Sequence, residues 1–253
     1  MTIDLSRKTA LVTGATGELG RVIARTLAQC GADIIVHYHA NGGKAQEIAT
    51  EIEQMGRRAQ TVQCDVTSRE AVAAMRAVIQ HGLGSPHIVV LNAVSQYTWT
   101  SVMEQPLEDY EDQFRACVAQ TVLLTQAFAP AMIARESGRI IGINTECAMQ
   151  CQPSQSAYVA GKRGMDGVLR VLAREIGPHN ITVNQVAPGW TISEKDRRDG
   201  TQSQPGYESG VPLRRRGEDL DIAHAVAFLA SEQARFITGT VLPVCGGNVM
   251  PTI

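Results

Sequence analysis

Short, nearly unbroken apolar runs recur along the chain at Lys8–Thr13, Asp33–Tyr38, Ala59–Cys64, His87–Asn92, Arg139–Asn144, Ile181–Val186 and Thr240–Val244. Each is short, bounded by polar or glycine-bearing stretches, and reads as a buried strand. Between them, apolar residues return every three or four positions over Arg21–Cys30, Lys44–Met55, Glu70–Gln80 and Gln113–Ile133, the spacing of helices with one buried face. Strands that are apolar on both sides need cover on both faces. The alternation therefore predicts an α/β fold, a seven-stranded parallel sheet doubly wound by helices. A chain of 253 residues can bury this as one domain, residues 1–253. The stretch from about Trp190 to Val211 lacks periodicity and is rich in Gly, Ser, Asp, Gln and Pro. It is expected to be a loop, a substrate lid over about residues 190–213. Its place after the sixth strand puts it at the carboxyl edge of the sheet, where open α/β sheets bind ligands.

Charge narrows the partners. A net charge of −2 offers no polyanion-binding surface, so nucleic acid is not an expected partner. The run Arg214-Arg215-Arg216 is too short for a basic face and is expected to be solvated or to lie between subunits. The start, MTIDLSRKTALVTG, reaches an apolar strand without a basic leader and long hydrophobic core. No apolar run in the sequence approaches the roughly 18 residues of a membrane span, so no membrane partner is expected and a cytoplasmic location is. The six cysteines form no CxxC pair, and Cys147 and Cys151 lack companions at zinc-ligand spacing, which reads as reduced thiols. His37 and His39 share a strand face but lack carboxylate or cysteine company, so no metal is expected.

The first strand runs into Thr13-Gly14-Ala15-Thr16-Gly17-Glu18-Leu19-Gly20, and a helix opens at once. Glycines let the backbone turn tightly against a pyrophosphate, and the helix start offers free N–H groups and the positive end of its dipole. Strand, glycine turn and helix together predict a Rossmann-type dinucleotide site. The ribose discriminator should fall near His37-Tyr38-His39, where NAD-binding folds usually carry Asp or Glu. None is present, so NADP(H) is favoured and NAD(H) stays possible. With no arginine in that stretch, His39, Asn41 or Lys44 must supply the phosphate contact.

Candidate chemistry follows the fifth strand. Thr145 stands at its carboxyl end, and thirteen residues on come Tyr158-Val159-Ala160-Gly161-Lys162. Tyr158 and Lys162 are i and i+4 on a helix and share a face. Alone such a pair is an ordinary surface neighbourhood; behind a phosphate turn and a strand-end hydroxyl it reads as an acid–base site. An unperturbed tyrosine titrates near 10, too high for proton transfer at neutral pH, and a neighbouring ammonium lowers it. Tyr158 can then act as general acid or base, with Thr145 donating to the carbonyl oxygen as charge develops.

Over nearly its whole length the sequence resembles the short-chain dehydrogenase/reductase family. The matching pieces are the glycine turn, Asp65-Val66, Asn92-Ala93, Thr145, Tyr158-x-x-x-Lys162, Asn184, Pro188-Gly189, Ile237-Thr238-Gly239 and Gly246-Gly247. The resemblance implies that Gly14, Thr16, Gly17, Glu18, Leu19 and Gly20 cradle the pyrophosphate, with Tyr38 and His39 at the adenosine ribose. It implies that Asp65 and Val66 border the adenine, and Asn92 and Ala93 the adenosine ribose side. Tyr158 and Lys162 would meet the nicotinamide ribose, and Pro188, Gly189 and Thr191 the nicotinamide amide. The terminal segment Val241–Ile253 resembles that of β-ketoacyl carrier-protein reductases and of sugar or polyol dehydrogenases, which implies a homotetramer. Four positions depart from the family pattern. Glu18 stands where a glycine is usual, Leu91-Asn92-Ala93-Val94 replaces NNAG, and Thr145 replaces serine. Cys117 occupies the place of the helical relay Asn, with Gln120 a turn away.

These readings converge on an NAD(P)-dependent oxidoreductase moving a hydride between nicotinamide and a ketone or secondary alcohol. A β-ketoacyl thioester, a small ketone and a polyol are all open as substrate, and Tyr97, Glu146, Met149 and Trp190 are candidate pocket residues, with Trp99 beside them. Two rivals stand beside this reading. One is enoyl-reductase or dehydratase chemistry on the same site. The other is a non-catalytic dinucleotide sensor, which would have no need of Tyr158 and Lys162.

Overall fold

The computed structural model describes residues 2–251. Seven strands are laid down in chain order: β1 Thr9–Val12, β2 Asp33–Tyr38, β3 Ala59–Gln63, β4 Ile88–Leu91, β5 Gly138–Ile143, β6 Ile181–Pro188 and β7 Val241–Val244. They pair in parallel in the order β3-β2-β1-β4-β5-β6-β7. The apolar runs are explained by the two faces. On β1, Ala10 and Val12 join one core with Ile23, Leu27 and Ile48, while Leu11 joins the other with Met75, Phe128 and Leu169. Every side chain of β1 is buried, so no polar alternation survives in the sequence.

The helices are α1 Glu18–Gln29, α2 Gly42–Gln54 and α3 Arg69–His81, then α4 Leu107–Phe114, a π-helical segment Arg115–Ala119 and α5 Gln120–Ala134. Successive strands are added outward from β1 to β3 on one side and from β4 to β7 on the other, and this switch of order between β1 and β4 opens the crevice at the carboxyl edge. The helical run read as Gln113–Ile133 is thus longer and carries a wide turn at Cys117. On length and composition Leu107–Ala134 is apolar enough to cross a membrane, with a mean hydropathy of 1.5 over its best window. That corrects the expectation that no apolar stretch reaches span length. Half of that window is buried in the fold, where α5 lies against α3 and the later helix α7 (Ser156–Ile176).

The stretch read as a loop is also corrected. After α6 (Cys147–Gln150) and α7, β6 leads into two short helices, α8 Glu194–Asp199 and α9 Pro205–Glu208, before α10 Asp219–Ala230. Helices of one or two turns are too short to show periodicity. The signal present was a capping box: Ser193 Oγ accepts from the Asp196 N–H while Asp196 takes the Ser193 N–H.

Of the arginine triplet, Arg214 and Arg215 are exposed, in line with the solvated expectation, whereas Arg216 departs from it. Its side chain is fully buried against residues 190–202. It donates to the carbonyls of Trp190, Thr191, Thr201 and Gln202 and pairs with Asp196 at 3.1 Å. Arg197 then ties α8 to α10 through Asp219. Of the terminal segment, Val249 and Met250 are described and Ile253 lies outside the described residues.

Candidate active site

The turn after β1 is held from three sides. Gly14 sits at φ +61°, where a Cβ would also come within 3.0 Å of Ala93 Cα. At Gly20 a Cβ would lie 2.2 Å from the Gly14 carbonyl, so the first turn of α1 can press against the loop only with glycine there. Asn92 Nδ2 donates to the carbonyls of Thr13 and Gly14, and Thr13 Oγ1 accepts from the N–H groups of Asn92 and Ala93. The third support is His37, which the sequence suggested only as a metal ligand to be set aside and as part of the ribose-discriminator stretch. Its buried ring accepts from the Gly14 N–H at Nδ1 (2.9 Å) and faces the Cys64 carbonyl at Nε2 (3.0 Å). Because Gly14 donates, Nδ1 is unprotonated and Nε2–H donates to Cys64. Burial holds the ring neutral, down to about 4.

A cavity of about 820 Å3 runs along the carboxyl edge. Gly14, Thr16, Gly17, Glu18 and Leu19 line its floor, and Gly17 begins α1 without a side-chain cap, leaving first-turn N–H groups available. His39, Asp65, Val66, Asn92 and Ala93 line one end; Thr145, Tyr158, Lys162, Pro188, Gly189 and Thr191 line the other. Two named residues do not reach it. The Tyr38 ring packs over Gly42, and Gly20 serves the loop from beneath. Lys44 pairs with Glu47 at 3.0 Å, whereas His39 and Asn41 line the wall.

Glu18 does not stand free before the phosphate site. Its carboxylate pairs with Arg21 at 2.5 Å and accepts from the N–H of Lys195 on α8. Arg21 also reaches Glu194 at 3.0 Å, and Arg25 bridges Glu194 to Glu51. Glu18 is thereby neutralised and joined to α8.

Thr145, Tyr158 and Lys162 meet where β5 and α7 approach. The Thr145 hydroxyl lies against the Tyr158 hydroxyl, and Lys162 Nζ is 5.7 Å from the Tyr158 ring centre. Nζ is buried and donates to the Ile143 carbonyl at 2.6 Å. Burial raises the Tyr158 phenol well above its ordinary value and lowers Lys162. The lowering of Tyr158 expected from its lysine is thus outweighed by desolvation. Tyr97, on the loop after β4, accepts the Tyr158 N–H at its hydroxyl (2.8 Å) and so fixes the start of α7. Gln120, on the π-distorted helix, donates to the Ala93 and Ala116 carbonyls and lines the same cavity, while Cys117 is wholly buried.

A second cavity, about 710 Å3, adjoins the first and shares Thr145, Tyr158 and Gly189 with it. Tyr97, Trp99, Glu146 and Trp190 line it, together with Tyr207 and Asn248, which the sequence did not reveal. Met149 turns away into a separate recess beside Val249. Glu146 is buried and its acid is raised by that burial; Asn248 Nδ2 donates to it at 3.0 Å.

A glycine-turned crevice beside a hydroxyl–tyrosine–lysine cluster defines a nicotinamide-dependent α/β oxidoreductase. A sequence-family profile described as Enoyl-(Acyl carrier protein) reductase matches residues 14–248. The chain is 34% identical over 243 residues to the 3-oxoacyl-acyl-carrier-protein reductase FabG of Staphylococcus epidermidis, covering 96% of this chain and 99% of that one. A 7α-hydroxysteroid dehydrogenase solved with NADH and 7-oxo glycochenodeoxycholic acid superposes with a TM-score of 0.88 at 30% identity, over 98% of this chain and 96% of that one. A blue fluorescent protein from a metagenomic library, solved with NADPH, superposes at 0.89 with 32% identity, over 98% and 100%. The chain belongs to the short-chain dehydrogenase/reductase family. It is an NAD(P)-dependent oxidoreductase acting between ketone and alcohol; the sensor and enoyl or dehydratase readings are not favoured.

Proposed function

We propose that Thr145, Tyr158 and Lys162 carry the reaction, with NADP(H) as the preferred cofactor. The observation that carries this is the meeting of two cavities at one pair of hydroxyls: a substrate carbonyl placed in the second cavity lies beside Tyr158 and Thr145 and faces the first. The glycine cradle fits a pyrophosphate, and the bound nicotinamide supplies or accepts the hydride. Tyr158 Oη delivers the proton to the carbonyl oxygen in reduction and removes it in oxidation. Thr145 Oγ1 donates to that oxygen as it gains charge. Lys162, anchored by Ile143, presents its ammonium behind the phenol and favours the phenolate. Thr16, Gly17 and Leu19 would hold the pyrophosphate, Asp65 and Val66 the adenine, and Pro188, Gly189 and Thr191 the nicotinamide amide.

The NADP(H) preference is supported by a wall of His39, Ala40 and Asn41 with no carboxylate after β2. A 2′-phosphate there would meet His39 and the start of α2 without repulsion. The six cysteines are all unpaired, which suits a cytoplasmic enzyme. The enzyme works as one unit, residues 1–253, with 190–213 as its lid, and assembles as a homotetramer in which the exposed Met250 takes part.

Nicotinamide absorbance with a ketone panel, run with NADPH and NADH on wild type and Tyr158→Phe, tests this. Tyr158→Phe is expected to bind cofactor within a few-fold and to turn over at least about 100-fold more slowly. Turnover within a few-fold of wild type removes Tyr158 from the mechanism, and a clear NADH preference removes the reading of the β2 end.

A further inference from the structure

The side chains around the second cavity say which carbonyl compound it accepts. Both tryptophans of the chain and three of its five tyrosines converge there: Tyr97, Trp99, Tyr158, Trp190 and Tyr207. Five carboxamides join them, Gln96, Gln150, Gln152, Gln155 and Asn248. Among the described residues no Leu, Ile, Val, Met or Phe and no Lys or Arg lines it. Trp99 stacks on Tyr158 with ring centres 6.0 Å apart and planes at 26°, making a flat aromatic wall beside the reacting hydroxyl.

Two groups in this wall keep open acceptor positions, one on Glu146 and one on Gln155. Glu146 is 4% exposed and, among the described residues, has no ion-pair partner. Asn248 Nδ2 and the Tyr207 hydroxyl donate to its carboxylate and the Trp190 N–H approaches it, which leaves about one of its roughly four acceptor positions open. Gln155 Oε1 is buried with no partner at all. A buried acceptor left unpaired is costly, and more so for a charge. An alkyl chain in this cavity would leave Gln155 Oε1 unpaired and the last position on Glu146 empty, and would find no aliphatic side chain to pack on. A compound rich in hydroxyls satisfies both, meets the carboxamides on either hydrogen-bonding sense, and lays its C–H faces on the aromatic rings.

Resting on the oxidoreductase reading above, we propose that the substrate is a polyhydroxylated ketone or the corresponding polyol, not an acyl thioester, with Glu146 and Gln155 receiving hydroxyl groups away from the reacting carbon. Glu146 is then a specificity-determining residue next to the catalytic Thr145.

The test compares kcat/KM for cyclohexanone, the hydroxylated cyclohexanones (inososes), ketohexoses, an acetoacetyl thioester and aminoacetone, each with NADPH and with NADH. At least one hydroxylated ketone is expected to exceed cyclohexanone and the thioester by about tenfold or more. Glu146→Gln and, separately, Gln155→Leu should each cut that preference by about tenfold, the scale of one buried hydrogen bond to a charged or unpaired partner. Two variants guard against one that fails to fold. Preference for the thioester, for cyclohexanone or for aminoacetone overturns the substrate class and leaves the oxidoreductase standing. A hydroxylated preference unmoved in both folded variants overturns the assignment of Glu146 and Gln155. No turnover with any compound overturns both the substrate class and the functional reading beneath it.

Discussion

Replacing His37 by alanine should loosen the phosphate turn without touching the residues that face the cofactor's charge. The imidazole is 1% exposed and joins Gly14 on one side to Cys64 on the other. Its loss leaves a buried N–H and a buried carbonyl unpaired, each costing about 1–3 kcal/mol, so a loss of about 2–6 kcal/mol is expected. The pH dependence isolates the cause. The folded ring titrates at about 4, below the ordinary 6.5, mainly through burial. As pH falls the unfolded chain therefore takes up its proton first, and the contribution of His37 is complete above about pH 6.5 and lost between there and about pH 4. That gap is worth about 3 kcal/mol. His87, which accepts the Thr9 N–H and is lowered to about 4 by burial, adds a similar slope in both proteins. The difference between wild type and His37→Ala removes the His87 share. Urea unfolding from pH 7.5 to 4 should show a stability difference that shrinks by about 3 kcal/mol toward acid. NADP+ titration at neutral pH should show affinity weakened at least about tenfold, because the ligand must then order the turn. A difference constant across pH, or affinity within twofold of wild type, would refute the role given to His37.

Arg216→Met should uncouple the lid, because four carbonyls and Asp196 lose a buried guanidinium, a loss of about 3–5 kcal/mol. Proteolysis should then cut first between residues 190 and 213, and Trp190 fluorescence should change, since Arg216 lies 5.0 Å from its ring; an unchanged cleavage pattern counts against it. Glu18→Gln removes a charge already paired with Arg21, so NADP+ affinity should rise only a few-fold at low salt and converge with wild type at high salt. Weaker binding would show that the Lys195 contact to α8 matters more than phosphate repulsion. Light scattering at micromolar concentration should give a multiple of the 27.2 kDa chain, and a monomer mass would contradict the assembly.

The strands were legible because both faces of each are buried, which writes them as continuous apolar runs such as Thr9–Val12. The Thr145–Tyr158–Lys162 cluster was legible because one strand end and one helix turn carry all of it. His37 shows where that kind of reading stops. Its face on β2 could be inferred from its spacing to His39, but its partner, the Gly14 N–H, is brought up by a separate loop. Arg216 shows the same limit, since three charges in a row read as surface. Only the folding of residues 190–202 around the guanidinium supplies the carbonyls that make its burial stable. The specificity cavity is the extreme case. Its aromatic wall is assembled from the loop after β4, from α7, and from the lid at Trp190 and Tyr207, while Asn248 arrives from the terminal segment. No window of sequence contains two of these parts. If Thr145, Tyr158 and Lys162 carry the reaction, its chemistry is local to the end of β5 and to α7, whereas substrate choice is distributed over segments distant in the chain that only the fold brings together. It follows that a change at Arg216 or Glu194, far from any reacting atom, should alter which ketone is taken before it alters whether a ketone is reduced at all.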